Sequence, residues 1–183
     1  MSFTFKKLSI PDVILIEPKS FSDDRGSFHE SFKESDFASN GIDIKFVQDN
    51  ISHSVLDVIR GLHFQKNTKA QAKLVTAVKG EVFDVAVDIR KNSPTFGQHL
   101  KFHLNTQDQN MVYVPEGFAH GFLALEDDTT FVYKCTNYYN KESESGIIWN
   151  DPELNIDWGC KNPVISEKDG ILSTLSSLSK ELN

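Results

Sequence analysis

Glu81-Val82-Phe83-Asp84-Val85-Ala86-Val87-Asp88-Ile89 alternates with a period of two residues, and that reading decides the fold. One face of the implied strand carries Phe83, Val85, Val87 and Ile89; the other carries Val82, Asp84, Ala86 and Asp88. Upstream, Lys73 to Val78 reads as another strand, with Lys79-Gly80 as a tight hairpin turn between the two. Downstream, Leu100, Phe102 and Leu104 alternate with His99, Lys101 and His103. Val112 to Val114, Phe118 to Leu125 and Thr129 to Tyr139 continue the pattern. Helical periodicity is confined to Glu34 to Ala38 and to a C-terminal stretch from about Lys168 to Leu182. Short strands separated by turn residues predict an all-β chain with few short helices, folded as an antiparallel sandwich or closed barrel. A jelly roll is the expected form.

The remaining composition narrows the class. A chain of 183 residues suits one domain over 1–183, and 39% hydrophobic with 25% charged residues is ordinary for a globular protein. The formal net charge of -7 makes the surface repel nucleic acid and anionic membranes, so neither is expected as a partner. An anionic substrate needs a local basic pocket. The aliphatic run Val13 to Ile16 is too short for a signal core or a membrane span, and Pro11 and Asp12 interrupt it. Cys135 and Cys160 show neither disulfide-framework nor metal spacing, which suits a reducing cytoplasm.

Three segments hold more polar and glycine residues than packing requires: residues 21–30, Arg60-Gly61-Leu62-His63-Phe64-Gln65, and residues 114–122. On a strand, Ile59, Gly61, His63 and Gln65 share one face, the glycine clearing space beside the imidazole. A histidine so placed is a candidate base, because its pKa lies near working pH; the plainer reading is a hydrogen-bonded core histidine. Pro115-x-Gly117-x-x-His120 resembles half of the cupin metal motif. The other half requires two histidines and a carboxylate where Leu62-His63-Phe64-Gln65 supplies one histidine, so no metal site is expected. His99 and His103 sit in a strand context and are expected to face solvent. Phe131, Tyr133, Cys135 and Tyr139 share a predicted strand face, as core or as a ligand-stacking surface, and an inward phenol can donate a proton to a carbanion. Ser166 reads as a helix cap, with Asp169 at the third helical position.

Together these segments resemble the dTDP-4-dehydrorhamnose 3,5-epimerase family from about Pro11 to Gly170. The matching blocks include Asp24-Arg25-Gly26 with Phe28 and Glu30, Phe46-Val47-Gln48-Asp49-Asn50, and residues 60–65. Lys73-Leu74-Val75, residues 84–90, Ser93-Pro94-Thr95-Phe96-Gly97 and residues 115–122 follow in order. Tyr133-Lys134, Tyr138-Tyr139, Trp149-Asn150-Asp151-Pro152 and Ser166-Glu167-Lys168-Asp169 complete the set.

The resemblance implies a cupin-type jelly roll, a homodimer, and an activity without cofactor on a dTDP-linked 4-keto-6-deoxy sugar. By the same resemblance His63 is the base, Asp169 its orienting carboxylate, Tyr133 the acid, and Lys73 the cation near the keto oxygen. His120, braced by Asp84, is a second sugar contact. Arg25, Phe28, Glu30, Gln48, Asp49, Asn50, Arg60, Glu144 and Lys168 bind the nucleotide sugar, and Tyr139 stacks on thymine. Part of this set is expected from a neighbouring subunit. His29 and Thr76 depart from the family pattern, and both bear on the expected nucleotide affinity. Four alternatives stay open: inversion at a single carbon, a related ketoisomerase, a metal-dependent cupin enzyme, and a sugar-nucleotide-binding module without catalysis.

Overall fold

In the computed structural model, which describes residues 2–181, the chain folds into two antiparallel sheets packed face to face. The strands are β1 (Phe3–Lys7), β2 (Ile14–Pro18), β3 (Phe21–Asp23), β4 (Gly26–Phe28), β5 (Gln48–Ser54), β6 (Ile59–Gln65) and β7 (Lys73–Lys79). They continue with β8 (Glu81–Asp88), β9 (His99–Asn105), β10 (Met111–Val114), β11 (Phe118–Ala124), β12 (Thr129–Cys135) and β13 (Glu144–Gly146). Short helices α1 (Glu34–Ser39), α2 (Glu167–Gly170) and α3 (Leu175–Glu181) complete the chain. One sheet has the order β1-β2-β10-β7-β12-β5, the other β13-β6-β11-β8-β9, and β3 pairs with β4 alone. This is the β-sandwich jelly roll expected from the alternation.

Both faces of β8 are buried, and each serves a different layer. Val82 and Ala86 point between the sheets, where they meet Val75, Val112, Phe131 and Phe122. Val85, Val87 and Ile89 point outward and are covered by the C-terminal residues Leu154, Trp158, Leu175 and Leu178. Asp84 and Asp88 therefore stand among apolar residues with no exposure, and each is held by a partner. A buried carboxylate without one is costly. Outside the six-stranded sheet, Phe37 of α1 packs edge-on against Phe3, Phe5 and Phe32. Removing such a ring costs about 3–5 kcal/mol.

Four local expectations are corrected. Lys79-Gly80 is a turn but not a hairpin: β7 and β8 belong to opposite sheets, so the chain crosses the sandwich there. Gly80 has φ +73°, and a Cβ would lie 2.5 Å from Thr129 Oγ1. β12 stops at Cys135, which leaves Tyr139 off the strand; the Tyr138 and Tyr139 N–H groups donate to Asn137 and Gln48 side chains rather than to a ladder. The C-terminal helix is split into α2 and α3 because the Ser173 carbonyl accepts from Ile148 N–H; Leu182 lies outside the described residues. Finally, the register of β6 against β11 shifts between His120 and Phe122. Ile59 packs with Leu62 and Phe64, while Arg60 and His63 line a cavity. Gly61 (φ +127°) makes room for the opposite backbone, not for the imidazole, since its Cβ would lie 2.5 Å from Gly121 Cα.

Candidate active site

A cavity of about 530 Å³ opens between β5, β7 and β12 of one sheet and β6 and β11 of the other, with residues 164–169 forming a further wall. A second cavity of about 410 Å³ shares His63, Lys73 and Tyr133 with it and extends to Gln48, Asn50, Tyr139 and Glu144. The shared walls make them one elongated cleft with His63 near its middle.

His63 Nε2 lies 2.7 Å from Asp169 Oδ1. An ionised carboxylate only accepts, so Nε2 carries the hydrogen and a neutral ring leaves Nδ1 free as a base. Asp169 is itself fixed from two sides. Its Oδ2 accepts from Gly61 N–H at 3.2 Å, and its own N–H donates to Ser166 Oγ at 3.1 Å, so Ser166 caps α2 as expected. Burial pushes the Asp169 pKa up, but the bonds from His63 and the Gly61 N–H outweigh it and hold the carboxyl below its usual range.

Directly across the ladder from His63 stands His120, its register partner. His120 Nε2 lies 2.6 Å from Asp84 Oδ1, and its ring stacks at 15° to Phe131 with 6.2 Å between centroids. Lys73 is nearly buried, and desolvation lowers its pKa against the raising effects of Cys135, Asp84 and Glu144. Its Nζ reaches the His63 carbonyl at 3.5 Å. Burial raises the pKa of Tyr133, so its phenol stays protonated through neutral pH.

At the outer end a chain of bonds links three sequence-predicted residues. Tyr139 donates to Glu144 at 2.8 Å, and Lys168 donates to the other Glu144 oxygen at 2.5 Å. Burial raises the Glu144 pKa, but these two bonds outweigh it and leave the carboxyl below its usual range. Gln48 and Asn50 reach the cleft from alternate positions of β5 and bond to each other at 2.9 Å.

Some expected residues stand elsewhere. Asp49, between Gln48 and Asn50, faces away by strand alternation and pairs with Lys134 at 2.8 Å, so it is not a cleft residue of this chain. Arg25, Phe28 and Glu30 line none of the cleft; Arg25 and Phe28 sit on the exposed β3–β4 hairpin, with Arg25 paired to Asp23. His29 and Thr76 meet at a separate cavity of about 170 Å³ that shares no lining residue with the cleft. The sequence reading missed Ser52, Val164 and Ile165, which also line the cleft, and named Phe122 and Phe131 without placing them in it. Phe122 and Phe131 carry the same alternation as core residues and do serve the core, so only the three-dimensional placement distinguishes them. Among the described residues, no group of three or more His, Cys, Asp or Glu side chains is arranged to hold a metal ion.

Residues 7–177 match the family model described as dTDP-4-dehydrorhamnose 3,5-epimerase. The chain is 52% identical over 164 residues to a dTDP-4-dehydrorhamnose 3,5-epimerase from Shigella flexneri, covering 89% of this chain and 91% of that protein. It is similar to the crystal structure of a dTDP-6-deoxy-D-glucose-3,5-epimerase from Legionella pneumophila in complex with dTDP-4-keto-L-rhamnose. That match has a TM-score of 0.94 and 44% identity, and covers 98% of this chain and 96% of the other. A 3'-monoepimerase from Streptomyces bikiniensis in complex with dTDP-quinovose is also similar, with TM-score 0.91 and 34% identity, covering 96% and 90%.

Proposed function

The chain belongs to the dTDP-4-dehydrorhamnose 3,5-epimerase family, and on that premise we propose how the residues of its cleft divide the reaction. It is a carbohydrate epimerase that inverts C3 and C5 of dTDP-4-dehydro-6-deoxy-D-glucose, giving dTDP-4-dehydro-L-rhamnose. Both carbons flank the C4 ketone. Removing either proton leaves an electron pair that delocalises onto the keto oxygen as an enolate.

His63 Nδ1 takes the proton, and Asp169 holds the imidazole with its other nitrogen protonated. The electron pair of the C–H bond becomes the enolate double bond, and negative charge moves to O4. Lys73, a cation with little water around it, faces that charge and stabilises it more strongly than a solvated ammonium could. His120 adds a second polar contact, held in one orientation by Asp84. Tyr133 then delivers its phenolic proton to the opposite face of the carbon. At each centre one proton enters on His63 and one leaves Tyr133, so the two groups re-equilibrate through water before the second inversion.

The observation that carries this division is the meeting, in one cleft, of a carboxylate-held histidine, a buried lysine and a protonated phenol. Gln48, Asn50, Arg60, Glu144 and Lys168 hold the nucleotide part, and Tyr139 stacks on thymine. Arg25, Phe28 and Glu30 stand outside the cleft of their own chain, which supports a homodimer in which each copy completes its neighbour's site. Among the described residues no helix is long and apolar enough to cross a membrane, and a nucleotide-sugar substrate fits a cytoplasmic setting. The test is turnover of dTDP-4-keto-6-deoxyglucose in heavy water, read by NMR. Deuterium at both C3 and C5 of an L-configured product is the expected result. Label and inversion at C3 alone would make it a single-carbon epimerase, like the similar 3'-monoepimerase.

A further inference from the structure

The cleft contains a cation whose orientation is set by groups outside the chemistry. Arg60 is the second residue of β6 in one sheet, yet its guanidinium reaches across to the last residues of β5 in the other. Its Nε–H donates to Ser54 Oγ at 3.1 Å, and an Nη2–H donates to the His53 carbonyl at 3.0 Å. Ser54 is buried, and its backbone is fixed opposite Thr129 in the β5–β12 ladder. A guanidinium has five N–H donors. With the inner edge occupied, two of the three that remain lie along the outer edge between Nη1 and Nη2, and Arg60 lines the cleft.

We propose that Ser54 is a positioning residue for nucleotide capture: its hydroxyl, with the His53 carbonyl, turns the Arg60 fork so that its outer edge meets a phosphate group of the dTDP moiety. This rests on the nucleotide-binding role given to Arg60 above. The physical reason is pre-organisation. An arginine side chain free to rotate must be ordered when ligand arrives, whereas one already bonded along its inner edge loses little further freedom. The carbonyl alone does not suffice, because a single bond leaves the guanidinium free to swing about it. Ser54 touches no substrate and acts only through Arg60.

The experiment measures dTDP affinity by calorimetry, together with kcat and melting temperature, for Ser54→Ala, Ser54→Thr, Arg60→Ala and the Ser54→Ala/Arg60→Ala double variant. Loss of one hydrogen bond to a charged group predicts about tenfold weaker dTDP binding for Ser54→Ala. The kcat at saturation should stay within about twofold, because the reacting carbons are untouched. Ser54→Thr keeps the acceptor and should restore binding. On the Arg60→Ala background Ser54→Ala should add no further loss, which a merely structural role would not produce. Equal losses in both backgrounds overturn the proposal, as does unchanged dTDP affinity in Ser54→Ala while Arg60→Ala binds weakly. If Arg60→Ala itself binds dTDP like the unaltered protein, the nucleotide role of Arg60 fails first and takes the proposal with it.

Discussion

Two histidine–carboxylate pairs face each other across one ladder, at nearly the same bond length, and differ in almost everything else. His63–Asp169 measures 2.7 Å and His120–Asp84 2.6 Å. The His63 side chain is 30% exposed and the His120 side chain 8%. Asp84 sits on the strand next to His120, inside the sandwich. Asp169 arrives from 106 residues away, on a helix of four residues. Asp84 Oδ2 has no hydrogen-bond partner among the described residues, so its charge is directed one-sidedly at His120. Asp169 shares its charge among His63 and the Gly61 N–H. A half-open imidazole with a well-bonded carboxylate can take and release protons. A sealed imidazole beside an under-bonded carboxylate is a fixed dipole that costs stability if disturbed.

The largest expected effect divides the pairs most sharply. His63→Ala should lower kcat by about a hundredfold to ten-thousandfold with dTDP affinity nearly unchanged, and should destabilise the fold less than His120→Ala because Asp169 keeps the Gly61 N–H. His120→Ala strands the buried Asp84 charge and should cost about 3–5 kcal/mol of unfolding free energy, measured by denaturant titration. The comparison breaks if the two variants behave alike in either measurement. A stable His120→Ala protein as slow as His63→Ala would make both histidines chemical.

The same contrast explains what could be read from the sequence. Period-two alternation sets the face of Asp84 in β8 and of His120 in β11, and the resemblance supplied their pairing, which the structure places on a diagonal of that ladder. The strands and the jelly-roll class were legible for the same reason. The sheet to which a strand belongs was not: Lys79-Gly80 looks like a hairpin turn whether the chain returns along its own sheet or crosses to the other. The face of Arg60 and His63 depends on the irregular register near Gly61 and Gly121, a close approach of two glycines 60 positions apart that no local pattern encodes. The direction of Asp49 was not legible because a block of matching residues has no orientation, whereas a strand sends every second side chain to the other side. Asp169 was recognised by resemblance alone; by local signals it is a residue at a helix start.

A smaller effect sharpens the comparison on the Asp169 side. Asp169→Asn keeps the shape but removes the charge that holds the His63 Nε2–H, so kcat should fall on the order of a hundredfold. The pH dependence of stability should change as well. The folded-state pKa of Asp169 is depressed, so its contribution is present above the usual carboxylate range and lost as pH falls through the lowered value. The variant should lose that part of the acid limb. It should keep the part owed to Asp88, whose pKa is lowered to about 2: burial raises it, and bonds from Arg90, Ser93 and Thr95 outweigh that. Unfolding free energy measured from pH 7 down to about 2 separates the two contributions. Identical acid limbs in variant and unaltered protein would show that Asp169 gains nothing from His63 on folding.

The smallest change in proton abstraction is expected for Tyr133→Phe, and it decides whether His120 is only a dipole. Tyr133 stands on β12 in the sheet opposite both histidines, and burial keeps its phenol protonated. Removing the hydroxyl leaves His63, Asp169 and Lys73 in place, so the enolate should still form at a rate within about tenfold of the original, the loss of one hydrogen bond to the developing charge. Without a donor on the far face the enolate is reprotonated from the near side and returns as substrate. In heavy water the variant should therefore wash deuterium into recovered substrate, or release a singly inverted sugar, faster than it forms the doubly inverted product. The unaltered protein should label C3 and C5 of that product instead. Double inversion by Tyr133→Phe at the original rate would identify another donor. His120 and Lys73 both line the same cavity, and His120→Ala in the Tyr133→Phe background separates them: loss of double inversion there would turn the sealed pair into a second proton carrier. Loss of exchange together with inversion would show instead that the phenol is needed to form the enolate, not only to trap it.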